Sequence, residues 1–336
     1  MIKPQTADIS GPYIDAGRRS WRTVAFVFAA IGAMLPFLAA DEPFILMLSS
    51  HAVIAAIVAL SLDLLTGNTG LLSFGHAAWY GFGAYAAGLL SKTVTSDILL
   101  LFLMTAAATA VAAAIVGAVL VRQIGKAFAI LTLAFSQIIF AMVFVFSKQT
   151  GGEDGLQGIP VSTVFGAPIV RPETWYWIVY GTLIIALALA FHIRRSPLGK
   201  SWLAIRENPE RASFVGMNIN GLKLKAYVAS ATLAATAGLL LVLFNGAASP
   251  DLLHWFESGK ILMYVVLGGI GTLIGPVLGA VVFTFAEHYV SSFSDSWLIY
   301  FGGLFIIVII VAPGGIFGAI NSTWRSLAGR SRGAQQ

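Results

Sequence analysis

Chemistry at a protein site needs nucleophiles, general acids and bases, or metal ligands, and this chain is sparing with all of them. It has no Cys, which excludes thiol catalysis, thiolate-bound zinc and a disulfide scaffold. No Ser, His and Asp set falls together in the sequence, and no apolar stretch carries paired carboxylates. Glu153 and Asp154 stand in a Gly-rich stretch that could suggest a calcium loop, but the ligand spacing of an EF-hand is absent. Gly199-Lys200-Ser201 matches the end of a phosphate-binding loop, yet the first Gly of that pattern would fall at Arg194 and no strand precedes it. The match is one of chance, and any ATP that drives this protein binds elsewhere. His51 lies within an apolar run, where an ionisable group raises a functional hypothesis, but a neutral imidazole bonded to a neighbouring helix is the favoured reading. His76 either lines a pathway or packs, and the adjacent Glu287 and His288 fall near an outer helix end, where access to headgroup water accounts for them without a special role. Intrinsic enzymatic activity, a bound metal and a bound cofactor therefore have no support in the residue types.

The elements that hold these residues are set by composition. Of 336 residues, 58% are hydrophobic and 35 more are Gly, about two thirds together, while only 10% are charged. Soluble proteins have roughly 25% charged residues, so most of this chain is expected to lie in lipid. A bilayer core of ~30 Å needs about 20 apolar residues per helix. Windows lacking Asp, Glu, Lys and Arg occur at 24–40, 44–62, 71–91, 98–121, 127–147, 175–193, 226–244, 261–274, 275–291 and 297–313, with Glu287 the one exception. The window at 261–274 is too short to span and reads as a re-entrant or broken helix. The expected fold is an all-α, polytopic bundle of eight to ten transmembrane helices. It divides into an N-terminal tail at 1–23, a membrane domain at 24–313 and a C-terminal tail at 314–336, and the first apolar stretch reads as an uncleaved span.

Lys and Arg collect in cytoplasmic loops. With the N-terminus inside, sixteen of the 20 fall on the inner side, and only Lys92, Lys148, Arg171 and Lys260 fall outside. Both termini are then expected in the cytoplasm, and the pI of 9.5 follows from topology. Because the charge is spread over loops, nucleic-acid binding is not expected.

One cytoplasmic loop is long. Residues 194–225 carry Arg194, Arg195, Lys200, Arg206, Arg211, Lys223 and Lys225. Ser196-Pro197 and Asn208-Pro209 each read as an N-cap followed by Pro at the first helical position. Glu210 suits the first turn of the second helix, and Gly216 suits its end. Two short helices are expected along the inner membrane face, with Trp202, Leu203, Ile205, Phe214 and Val215 directed to lipid, the bundle or a partner's groove. Elsewhere Gly67, Gly70, Gly75, Gly81 and Gly83 crowd one segment, and Gly268, Gly269, Gly271, Gly275 and Gly279 crowd another, beside Pro276. Such density permits close helix contacts or broken helices at membrane depth, the pointer to a transporter's pathway. These glycines and His76 are thus candidates either for a translocation path or for helix packing.

The segment Glu210-Arg211-Ala212-Ser213-Phe214-Val215-Gly216 resembles the EAA loop with which ABC importer permeases dock into their ATPases, although Arg211 replaces the usual Ala and the later Pro is missing. Further resemblance lies in Gly70-Leu71-Leu72-Ser73-Phe74-Gly75-His76-Ala77-Ala78, in Thr150 to Pro160, and in Gly268-Gly269-Ile270-Gly271-Thr272 with Gly275-Pro276. Together these are similar to the LivM-type permeases of branched-chain amino-acid ABC importers, in the expected order over most of 63–290. The resemblance implies a multi-pass protein of the bacterial inner membrane. It also implies a heterodimer with a related permease, two cytoplasmic ATP-binding subunits that use ATP and Mg, and a periplasmic solute-binding protein. Arg206, Glu207, Glu210, Arg211, Ala212 and Gly216 are then the ATPase-coupling candidates. The solute is expected to be leucine, isoleucine and valine, with urea, short amides or other amino acids as alternatives on the same scaffold. A stand-alone secondary transporter is the rival from another class, and the charge-free windows argue against it.

Overall fold

The computed structural model describes residues 32–37, 42–293, 299–303, 306, 310 and 314–318. The expected N-terminal tail, most of the first and last expected spans, and the C-terminal tail beyond 318 lie outside the described residues. Helices dominate: α1 (Pro43–Thr69), α2 (His76–Thr93), α3 (Ile98–Leu120), α4 (Lys126–Val145), α5 (Pro172–Arg195), α6 (Pro197–Glu207), α7 (Pro209–Phe214), α8 (Ile219–Asn245), α9 (Trp255–Gly268) and α10 (Ile274–Phe293). Among the described residues, six helices are long and apolar enough to cross a bilayer, namely α1, α3, α4, α5, α8 and the Ile274–Ser291 stretch of α10. The protein is an all-α polytopic membrane protein.

Burial sorts the helices into a centre and a rim. From Ala52 to Thr69 α1 is buried almost all round, packed by α5, α8, α9 and α10. A helix that is apolar on every side belongs in such a core. Only one stripe of α3 is covered, Leu101, Thr105, Thr109, Ala113, Gly117 and Leu120, and that stripe rests on α8. Its other faces expose Leu103, Val111, Ile115 and Val119, which suits a rim in contact with lipid. Between α2 and α8 the backbones nearly touch. A Cβ at Gly83 would overlap the main chain of Ala235, and one at Gly238 would overlap that of Tyr80. Small residues allow this approach, which dispersion attraction rewards in a membrane.

Three sequence expectations are corrected. The window at 71–91 is helical only from His76, because Gly70 takes the left-handed conformation (φ 75°) that closes α1, and residues 71–75 run irregularly to the next helix. The short window at 261–274 is indeed a broken helix, but α9 begins six residues earlier, at Trp255, and stops at Gly268. Its 14 residues reach about 21 Å at 1.5 Å per residue, too little to cross. Glu257 and Lys260 therefore lie inside a helix, where a search for charge-free windows could not see them. Lys260 is no loop charge: it sits 3.2 Å from Glu257 and 3.4 Å from Glu287, joining α9 to α10. The segment leading into α9 folds back into the bundle. Leu156 and Ala248 exchange backbone bonds of 2.9 Å, and Leu253 presses on Gly81 of α2 while its carbonyl accepts from Ser136 Oγ of α4 at 3.2 Å.

Candidate functional site

At one end of the bundle, α5 turns sharply into the two short helices. Ser196 Oγ accepts from Gly199 N at 3.3 Å and Pro197 opens α6, then Asn208 Oδ1 accepts from Arg211 N at 2.9 Å and Pro209 opens α7. Gly216, in the left-handed region at φ 83°, ends the turn after α7, and Asn218 Oδ1 caps α8 through Gly221 N at 2.9 Å. Each boundary is thus fixed by a local cap. The seat of α6 is tertiary: Trp202 is fully buried, and its indole N–H donates to Leu222 O of α8 at 2.9 Å. Ile205 is buried beside it.

The six coupling candidates divide by direction. Glu207, Glu210, Arg211 and Gly216 are exposed, and they surround Phe214 and Val215, which are 87% and 73% exposed. Ala212 points inward and is buried. Arg206 is exposed along one edge, but its guanidinium turns to the bundle and donates from Nη1 to Gly67 O of α1.

Behind α6 lies a group of residues that window searching missed. Asp63, one turn and a half before the end of α1, is fully buried. Its Oδ1 accepts from Gly271 N, and its Oδ2 accepts from Leu273 N at 3.1 Å. Arg194, next to last in α5, donates from Nη1 to Gly271 O at 2.6 Å. Both polar groups of the Gly271 residue are therefore held by side chains from other helices. The two guanidinium groups of Arg194 and Arg206 also act electrostatically on the Asp63 charge. A buried carboxylate is costly unless it is hydrogen-bonded, and here both oxygens accept from backbone N–H groups. The turn it holds is irregular: Gly269 (φ 113°), Gly271 (φ 82°) and even Leu273 (φ 64°) take positive φ. For a non-Gly residue that conformation costs roughly 1–2 kcal/mol, so surrounding contacts must hold it. Gly67 and Gly271 meet backbone to backbone, since a Cβ on Gly67 would come 2.8 Å from Gly271 Cα and 2.6 Å from Asp63 Oδ1.

The result is a multi-pass bundle with a broken helix pair, a Gly-rich junction and an exposed two-helix elbow at one end. Residues 44–313 match the family described as branched-chain amino acid transport system, permease component. The chain belongs to this family. Its relatives include the permease protein LivM of Salmonella typhimurium strain LT2, 25% identical over 100% of this chain and 85% of that one. The LivM protein of Escherichia coli K12 is 26% identical over 86% and 73%, and the LivH protein of the same organism is 28% identical over 78% and 91%. No solved structure matches.

The remaining candidates of this permease fall into packing contacts. Gly70 caps α1 and faces Arg206 Cγ, while Gly268 and Gly275 press against each other's backbone across the break, beside Gly269 and Pro276. Gly75 meets the Thr132 carbonyl of α4, and Gly81 and Gly83 meet Leu253 and Ala235. His76, the first residue of α2, has Nε2 2.7 Å from Ser230 Oγ, and that hydroxyl donates to Ser61 O. With the hydroxyl hydrogen committed, Nε2 carries the ring hydrogen, and Nδ1 is left buried with no partner among the described residues. His51 lies 3.1 Å from Asn245 Oδ1 of α8, the neighbouring-helix bond anticipated for it. Glu153 and Asp154 form an exposed single turn, and among the described residues no group of three His, Cys, Asp or Glu could hold a metal.

Proposed function

We propose that this permease is a membrane subunit of an ATP-driven importer in the bacterial inner membrane, moving branched-chain amino acids or related small polar solutes. The termini and the α6–α7 elbow face the cytoplasm. The elbow docks into ATP-binding subunits, which consume ATP and Mg, and this chain binds no cofactor. A related permease completes the membrane pore, and a periplasmic binding protein delivers and selects the solute.

The observation that carries the reading is the face of α7. Phe214 and Val215 are 87% and 73% exposed beside Glu210 and Arg211, at a charge-rich end of the bundle. A short amphipathic helix with such a face fits a groove on a partner. The charge cluster of Glu257, Lys260 and Glu287 removes the charge-free windows as an argument against a stand-alone transporter. What favours the importer is instead the family together with this docking face. Expression with the native neighbouring subunits, purification in mild detergent and assay of hydrolysis test the reading. Recovery of ATPases and a second permease, with hydrolysis stimulated by one solute-loaded binding protein, is the expected result and names the solute class. ATP-independent uptake by the lone chain in liposomes would overturn it.

A further inference from the structure

We propose that Asp63, Arg194 and Arg206 form a clamp that makes the docking elbow and the α9–α10 break move as one body, so that a push on α6 and α7 is delivered to the broken helix. The proposal deepens the importer reading and rests on it.

Three observations carry it. First, the clamp joins elements that are remote in sequence, since Asp63 reaches residues 208 and 210 positions away and Arg206 reaches one 139 positions away. Second, two of its members flank α6: Arg194, just before the α5–α6 turn, is tied to Gly271 O, and Arg206, just before the α6–α7 turn, is tied to Gly67 O of α1. Third, the object held is a hinge in form. The turn at 269–273 combines two glycines and Leu273 at positive φ, and Asp63 accepts both of its inward N–H groups. Asp63 of α1 and Arg194 of α5 bond directly to this turn, and Arg206 of α6 bonds to Gly67 O of α1, against which Gly271 packs, so these ties decide where the turn sits. Coupling requires a physical element that both sites bias, and a fastened hinge next to the docking surface is such an element. Arg194, Arg206 and Asp63 are positioning residues here, because they touch neither ATP nor solute.

The test uses the complete complex in proteoliposomes. Arg206→Gln removes one tie while keeping length and polarity, Arg206→Lys restores the charge, and Asp63→Asn weakens the hold on the turn. With Arg206→Gln, the expected result is full recovery of ATPase subunits, hydrolysis within about twofold of the unaltered complex, and solute moved per ATP reduced about tenfold or more, with Arg206→Lys intermediate. A merely structural residue would lower hydrolysis and transport together. An unchanged ratio in Arg206→Gln overturns the clamp.

Because the chain has no Cys, spin labels can be placed at Lys200→Cys on α6 and Ile270→Cys in the turn, both exposed sites. Their separation is expected to stay constant between nucleotide-free and ATP-trapped states in the otherwise unaltered complex, and to change in Arg206→Gln. A separation that already changes without the Arg206 substitution, or one that stays fixed with it, overturns the proposal even if a given variant expresses poorly. Failure of the importer reading has a different signature: the unaltered chain itself would show no ATPase partner and no ATP-dependent uptake, and the clamp would fall with it.

Discussion

Replacing Trp202 would unseat α6 from the bundle by a calculable amount. The indole is fully buried, so Trp202→Ala removes a large aromatic body and leaves a cavity, a change that costs about 3–5 kcal/mol in well-packed interiors. It also deletes the 2.9 Å bond to Leu222 O. Because Leu222 belongs to α8 and α6 has only short flanking turns, this cost falls on the local attachment of α6 rather than on the bundle as a whole. At about 1.4 kcal/mol per decade, local opening becomes more frequent by roughly two to four orders of magnitude. Trp202→Phe keeps most of the ring and loses chiefly the hydrogen bond, about 0.5–1.5 kcal/mol, or roughly two- to tenfold. Hydrogen exchange of the α6 amides in detergent reads both numbers directly, with the amides of the α8 interior as an internal reference. Protection of α6 in Trp202→Ala within about threefold of the unaltered protein would show that the seat is elsewhere and would refute the assignment of Trp202 as its anchor.

Other substitutions probe other parts of the frame. Glu210→Arg reverses a charge on the exposed face of α7 and is expected to abolish transport and ATPase recovery while membrane insertion, measured by yield in the membrane fraction, stays normal. Lys260→Met leaves Glu257 and Glu287 without their shared cation and should destabilise by about 3–5 kcal/mol, whereas Glu287→Gln leaves a neutral pair and should cost clearly less. Thermal unfolding in detergent ranks the two, and equal midpoints would contradict the ion cluster. Gly83→Val forces a side chain into the main chain of Ala235, an overpacking of about 1–3 kcal/mol or more, and should lower the same midpoint even though the residue gains apolar surface.

The elbow was legible in the sequence because its determinants are local. Ser196-Pro197, Asn208-Pro209 and Gly216 each act within three residues, and short-range caps can be read from neighbours alone. The charge-free windows likewise coincide with α1, α3, α4, α5 and α8, since hydropathy is a property of contiguous chain. What escaped was whatever depends on pairing across the fold. Asp63 ended its window, because a search that stops at charges truncates a helix at the residue that matters most to it, although α1 continues to Thr69. Lys260 was assigned to a loop for the same reason, its neutralisation by Glu257 and Glu287 being invisible until α9 and α10 lie side by side. Arg206 falls among the docking residues through the resemblance of its segment to the permease family, and only the structure shows its guanidinium donating to Gly67 O.

The near-contact of α2 with α8 has its own consequence. With Gly83 set against Ala235 and Gly238 against Tyr80, the two helices are keyed together, and sliding by even one residue's rise of 1.5 Å would drive a methyl or ring-bearing residue into main chain that has no room to yield. The two helices are therefore expected to move, if at all, as one piece. Changes of solute among relatives should be written into other helices, and a probe on α2 and one on α8 should report the same separation at every stage of the cycle.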